Sequence, residues 1–229
     1  MIASALDNPI WEALASRHQS LAIRHGDAAR YPAIVAPFLA VASGGIDVAD
    51  ALESLVPVDD SVYLLGPVPS VPVGWSLKGP TMLAQMICTT HADVLDGPGI
   101  IELTQAHRAD VLALTALVYP HYFRPQTMQM GRYFGIYHDG QLAAMIGERM
   151  GMDGFQEISA VCTSPGYTGR GFARRLLGWL SNDNLERGRT PFLHASHENL
   201  RAKRVYEQCG YAYRPDIAFW SLRRAQDTA

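Results

Sequence analysis

The chain has 229 residues, 48% of them apolar and 18% charged, which is the balance of an ordinary globule with ample length for a core. A formal charge of -3 gives no reason to expect nucleic acid as the main partner. The charge is uneven: the residues before Gly99 carry four Lys/Arg and ten Asp/Glu, a net of -6, and the rest carry fifteen and twelve, a net of +3.

In chain order, Asn8-Pro9 opens a predicted helix, with Asn8 as cap and Pro9 at the first helical position. Trp11, Leu14, His18 and Leu21 then share one face. A second helix is predicted around Asp47–Leu55 and a strand at Ser61–Leu65. Pro67, Pro69 and Pro72 forbid much regular structure after it. Met82–Thr89 reads as another helix. Asp96-Gly97-Pro98-Gly99 is the best linker candidate and divides the chain into residues 1–98 and 99–229.

After the linker the pattern is cleaner. Ile100–Leu103 is strand-like, and Ala106–Val118 carries a helical stripe of Val111, Leu114 and Val118. Tyr133–Tyr137 and Leu142–Glu148 flank His138-Asp139-Gly140, whose Asp-Gly pair signals a hairpin. Glu157–Thr163 is the next strand, Gly171–Arg187 a helix and Pro191–Ala195 a strand. Asn199–Gln208 is a helix closed by Gly210. Tyr211–Tyr213 and Ile217–Leu222 are the last strands. The expected class is α/β: a central mixed sheet flanked by helices, preceded by a smaller N-terminal α/β region.

Three widely spaced cysteines, Cys88, Cys162 and Cys209, do not suit a disulfide framework. Uncharged stretches fall short of the roughly 20 residues of a membrane span, and the N-terminus lacks a secretion pattern. The expectation is a soluble cytoplasmic protein with no membrane or nucleic-acid partner.

The segment Ser164–Leu177, "SPGYTGRGFARRLL", places a glycine loop between a predicted strand and helix. That arrangement aims backbone N–H groups and a helix dipole at an anion. The P-loop pattern fails, because Phe172-Ala173 stand where Lys-Ser/Thr is needed. The dinucleotide fingerprint fails at Arg174. A third pattern fits. "VCTSPGYTGRGFARRLL", followed by "NLRAKRVYEQCGY", resembles the GNAT superfamily of acyl-CoA-dependent N-acyltransferases. Its Arg/Gln-x-x-Gly-x-Gly/Ala turn is matched by Thr168, Gly171 and Ala173. Its second signature is matched by Asn199, Ala202, Tyr206, Glu207, Gly210 and Tyr211. The resemblance covers Ile100 to Leu222. The two-part layout is similar to the glycine N-acyltransferase-like branch, in which a degenerate half precedes the catalytic one.

The resemblance implies an acetyl-CoA or other acyl-CoA co-substrate. The residues it places on the cofactor are Val161, Cys162, Thr163, Thr168, Gly169, Arg170, Gly171, Phe172, Ala173, Arg174, Asn199, Ala202 and Tyr206. It implies transfer of an acetyl or short acyl group to a primary amine of a small molecule or amino acid, by direct attack in a ternary complex. Thr168 departs from the usual Arg or Gln, which keeps a second reading open: a non-catalytic acyl-CoA sensor.

Acyl transfer to an amine needs a neutral amine, yet a free one has a pKa near about 10.4. The resemblance implies Glu157 as the base, because it lies eleven residues before Thr168, the separation at which the histone-acetylating members carry theirs. Burial in a partly apolar cleft would raise its pKa, and a water chain is the alternative. Tyr206 is the expected acid for the departing thiolate, and the backbone N–H of Val161 the polariser of the thioester carbonyl. Arg124, Arg132 and His197 are weaker candidates for acceptor binding, the first two within Tyr119–Gly135. His194-x-x-His197 lacks a third ligand, so no metal is expected. Cys162 alternates toward the core, and Trp179 and Trp220 read as core. Residues 1–98 read as a degenerate copy of the fold, an acceptor-side lid or a homodimer surface.

Overall fold

A computed structural model describes residues 4–118 and 122–225. In chain order the strands are β1 (Ile23–His25), β2 (Ala28–Arg30), β3 (Leu39–Val41), β4 (Ser61–Leu65), β5 (Trp75–Cys88), β6 (Ile101–Glu102), β7 (Tyr133–His138), β8 (Gln141–Met152), β9 (Phe155–Thr163), β10 (Thr190–Ser196) and β11 (Tyr211–Arg224). The helices are α1 (Pro9–Ala15), α2 (Ala49–Leu55), α3 (Arg108–Val118), α4 (Phe172–Glu186) and α5 (Leu200–Gln208). Among the described residues, β1 to β3 form a small antiparallel sheet, and the other strands form an eight-stranded sheet of order β4-β11-β5-β10-β9-β8-β7-β6. It is mixed, because β9 and β10 run parallel while the other pairings are antiparallel. The expected α/β class with a mixed central sheet holds. No helix of the described residues is long and apolar enough to cross a membrane.

Two of the expectations meet a correction at β5. Met82–Thr89 is strand, not helix, through Cys88. Its Met, Leu, Ala and Gln suit a helix by propensity, but β5 lies in mid-sheet, and Ala84, Gln85 and Met86 are consecutively buried on opposite faces. A strand covered on both sides reads as a continuous apolar run, which sequence periodicity does not separate from a buried helix. The division at residues 98 and 99 also fails to follow the packing. β5 belongs to the first 98 residues, yet it pairs with β10 on one side and β11 on the other. The predicted linker is strapped to α4 as well: Arg175 donates to the carbonyls of Pro98 (3.0 Å) and Leu95, and Asn182 exchanges two hydrogen bonds of 2.9 Å with Ala92. The predicted pair of final strands is one bulged strand, β11.

The sheet has two differently covered faces. Leu176, Leu177 and Leu180 of α4 pack with Ile146, Ile158 and Leu193 on one. On the other, α3 packs Val111 and Leu114 on Met145 and Cys162, while α1, Tyr31 and Phe38 cover Met150, Met152 and Phe192. α1 begins at Pro9 as the sequence predicts, but Asn8 does not cap with its side chain; its amide donates to Val41 O (2.8 Å), tying the helix to β3. The Asp139–Gly140 turn joins β7 to β8 with both φ angles positive, 51° and 75°, as a two-residue hairpin of right-handed strands requires.

Gly147 on β8 faces Tyr133 across the pair, and a Cβ there would fall inside the Tyr133 ring. Tyr133 is buried and cannot swing away. Gly147→Ala is expected to cost at least about 2 kcal/mol by overpacking, read as a lowered urea midpoint with unchanged slope.

Candidate active site

The site begins where two parallel strands part. β9 and β10 pair only at Thr190–Phe155, Pro191–Gln156 and Phe192–Glu157, so from Ile158 onward the β9 edge has no β10 partner. Ala160 within that stretch has φ of 50°, a left-handed value rare for a residue with a Cβ, and the β8–β9 register slips beside it. This bulge and the parting of the strands put Ile158, Ser159, Ala160 and Val161 all on one cavity wall, where a regular strand shows alternate residues. The cavity measures about 420 Å³. Ala195, Ser196, Asn199 and Tyr206 line the same cavity.

The predicted glycine loop lies at the end of β9. Pro165–Tyr167 is one 3₁₀ turn, and Gly169 and Gly171 take φ of 81° and 78°. Gly171 caps α4, whose first helical bond runs from the Arg175 N–H to the Gly171 carbonyl (2.9 Å). The N–H groups of Phe172, Ala173 and Arg174 therefore have no helical acceptor and point out of the helix start. With the dipole of a 15-residue helix behind them, they suit a diphosphate. Thr168 is exposed, and its hydroxyl donates to Pro165 O (3.2 Å), so it braces the turn instead of reaching outward. Arg170 lies over the Tyr167 ring at 5.1 Å. Phe172 is buried. Asn199 accepts from the Ala202 N–H (3.1 Å), so it caps α5 while also lining the cavity. Tyr206, two turns on, lines the cavity too. Cys162 is buried among the α3 contacts, which push its thiol up to about 12; only its main chain is available to a cofactor. Thr163 ends β9 half-buried.

Glu157 departs from the expectation. It is fully buried, and its carboxylate accepts from Arg149 Nε and Nη2 (2.6 Å each), from the Met150 N–H (3.3 Å) and from His194 Nδ1 (2.8 Å). Burial alone would raise its pKa, but the Arg149 charge and these donors outweigh it and hold the group down at about 2. A carboxylate that is ionised so readily is a poor acceptor for an ammonium proton, and Arg149 and His194, not Glu157, face the cavity. The raised pKa predicted for Glu157 is thus reversed, and its part is that of a counter-ion.

The His194 tautomer follows from its neighbours. Gln85 Oε1 accepts from Arg214, and Gln85 Nε2 donates to Leu6 O (3.0 Å), which fixes the amide orientation. Gln85 Nε2 therefore also donates to His194 Nε2 (2.8 Å), leaving the imidazole proton on Nδ1 toward Glu157.

The three acceptor-site candidates do not line the cavity. Arg132 is engaged by Glu148 (2.5 Å) and Asp183 (2.6 Å), and buried Glu148 is further held by Asn184 (2.9 Å). Arg124 is half-buried in the chain before β7, its N–H donating to Thr127 Oγ1 (2.6 Å). His197 pairs with exposed Asp216 (2.9 Å), away from His194. Tyr119, Pro120 and His121 of the predicted acceptor loop lie outside the described residues.

Other residues complete the cavity lining: Phe38 and Leu65 from the first 98 residues, Leu83 on β5, Tyr122, Phe219 on β11, and Arg149. Motif reading has no access to these, since they converge only through the sheet order. Arg149 alone left a signal, being one of two adjacent charges, Glu148 and Arg149, inside an apolar strand.

The family model described as FR47-like protein matches residues 133–221. No curated protein matches the chain. Among solved structures, a GNAT-family protein from Novosphingobium aromaticivorans DSM 12444 is 32% identical, with 98% of this chain and 100% of that chain covered and a TM-score of 0.87. A GCN5-related N-acetyltransferase from Kribbella flavida is 17% identical, covering 96% and 95% with a TM-score of 0.62. A GCN5-related N-acetyltransferase-like protein from Streptococcus suis 89/1591 is 16% identical, covering 94% and 92% with a TM-score of 0.55. The last two share the fold; the first, related over the full length of both chains, shows that this chain belongs to the GNAT acetyltransferase family.

Proposed function

We propose that the protein transfers an acetyl or other short acyl group from acyl-CoA to the primary amine of a small molecule, by direct attack in a ternary complex. The observation that carries this reading is the parting of β9 and β10 over a cavity of about 420 Å³, set beside the unpaired N–H groups of α4. Acyl-CoA, when bound, supplies the activated thioester. The chain supplies the rest. The α4 N-terminus and the Gly169–Gly171 backbone hold the diphosphate, and Arg170 and Arg174 add charge. The Val161 N–H polarises the thioester oxygen as charge develops on it. Tyr206 gives its proton to the departing thiolate. The amine loses its proton to water in the open cavity, where Ser159 and Ser196 provide hydroxyls. Glu157 holds Arg149 and His194 in place and takes no proton.

A sensor would need only the cofactor end of the cavity. The cavity lining includes Phe38 and Phe219 as well as Asn199 and Tyr206, which supports transfer to a second substrate.

Mixing the protein with acetyl-CoA and a panel of amines is expected to release free thiol. Tyr206→Phe is expected to lower kcat by about 100-fold, the scale of a lost general acid, while calorimetric affinity for CoA stays within a factor of about three. Wild-type turnover in that variant across pH 6 to 10 would remove Tyr206 from the mechanism.

A further inference from the structure

The acceptor end of the cavity is walled by rings that pack on one another. Phe219 stacks on Tyr63 with centroids 5.3 Å apart and planes at 6°. Tyr122 stands edge-on to both, at 5.8 Å from Phe219 and 5.2 Å from Tyr63. Phe38 leans on Tyr122 at 6.3 Å. Phe38, Tyr122 and Phe219 face the cavity, with Leu65 and Leu83 beside them. Their positions are set by packing before any ligand arrives, so an apolar body enters without ordering the wall first.

Charge decides what else the end accepts. Among the described residues, no Asp or Glu lines the cavity, and Glu157 lies fully buried behind Arg149. A second ammonium group, as in a diamine or polyamine, would shed its hydration there with no counter-ion. Arg149 is the cation on the wall. Its charge is already met by the two-pronged contact with Glu157, and its guanidinium carbon lies 5.0 Å from the Phe38 ring centroid. An acceptor carboxylate at this wall would therefore leave a net buried negative charge beside Glu157.

We infer that the acceptor is an arylalkylamine: a primary amine on an aromatic body, with neither a second ammonium group nor a carboxylate. The amine nitrogen lies toward the parting of β9 and β10, and the aryl group lies between Phe38, Tyr122 and Phe219. This rests on the acyltransferase reading above and narrows its substrate to one chemical class. A cavity of about 420 Å³ has room for such a molecule beside the thioester end.

The test is thiol release from acetyl-CoA with three pairs of amines: phenethylamine and tryptamine, putrescine and spermidine, phenylalanine and tryptophan. Calorimetry of CoA binding runs in parallel. The expected result is a kcat/KM for the first pair at least tenfold above both others. Phe219→Ala is expected to raise the KM for tryptamine at least tenfold and leave the KM for acetyl-CoA unchanged. Phe219→Leu, which keeps an apolar side chain but removes the ring, replaces the Ala variant if that one melts early. Preference for the polyamines or the amino acids would overturn the substrate class and leave acyl transfer standing. CoA binding without thiol release from any amine would overturn both.

Discussion

A chain shortened to residues 99–229 is expected not to fold, although those residues carry both recognised motifs. The reason is the place of β5. It pairs from Leu83 to Ile87 with β10 and along its whole length with β11, so removing it opens the centre of the sheet. β11 would lose its β4 partner as well, since β4 also belongs to the deleted part. Ala84, Met86 and Cys88 are fully buried, as are Leu64, Leu65 and Phe38. Large buried side chains of this kind contribute about 1.5–3 kcal/mol each, and a typical domain has only about 5–15 kcal/mol in total. Both new strand edges would invite self-association. The expected outcome is aggregated protein without a cooperative thermal transition. A monomeric remainder with cooperative unfolding and acyl-CoA binding would show that residues 99–229 fold independently.

The second large effect is expected at the buried ion pair. Arg149→Met leaves Glu157 ionised, fully buried and without its guanidinium, and removing one partner of such a pair costs about 3–5 kcal/mol. Arg149→Met combined with Glu157→Gln should recover a large part of that loss, because the unpaired charge is gone. The same group sets an acid limit. The folded pKa of Glu157, about 2, lies below its ordinary value of 4.5, so ionised Glu157 favours the folded state. Its contribution is fully present above about pH 4.5 and fades as pH falls toward 2, amounting to about 3 kcal/mol across that window. Urea unfolding of the wild type from pH 5 to 2 should show the decline, and Glu157→Gln should flatten it. An unchanged slope in that variant would mean that another carboxylate governs the acid side. Glu157→Gln also tests its chemical part: the ascending limb of kcat/KM with pH should survive the substitution, and its disappearance would restore Glu157 as the base.

Local signals were enough wherever function depends on backbone near its own sequence. The glycine loop, the α4 start, the Asn199 cap and the Asp-Gly hairpin use residue types whose conformational needs are met within a few positions. Each stands where the residues imply. Tyr206 follows in the same way, because helix periodicity carries it from Asn199 to the cavity. The separation from Thr168 marked Glu157 as the expected base, but gave no sign of what lies opposite it. A slip between Glu148 and Gly151 sets Arg149 and Met150 against Glu157, which turns an expected base into a saturated counter-ion.

The sequence alone was sufficient for the class of fold, the glycine loop at the start of α4 and the family resemblance, because those rest on short-range backbone geometry and fixed spacing. The apolar end of the cavity, the pairing of Glu157 with Arg149 and His194, and the union of both parts of the chain in one sheet arise only on folding. Phe38, Arg149, His194 and Phe219 are separated by up to 181 positions and meet through strand order. A carboxylate's pKa likewise depends on which charges packing brings beside it, and no pattern along the chain records that.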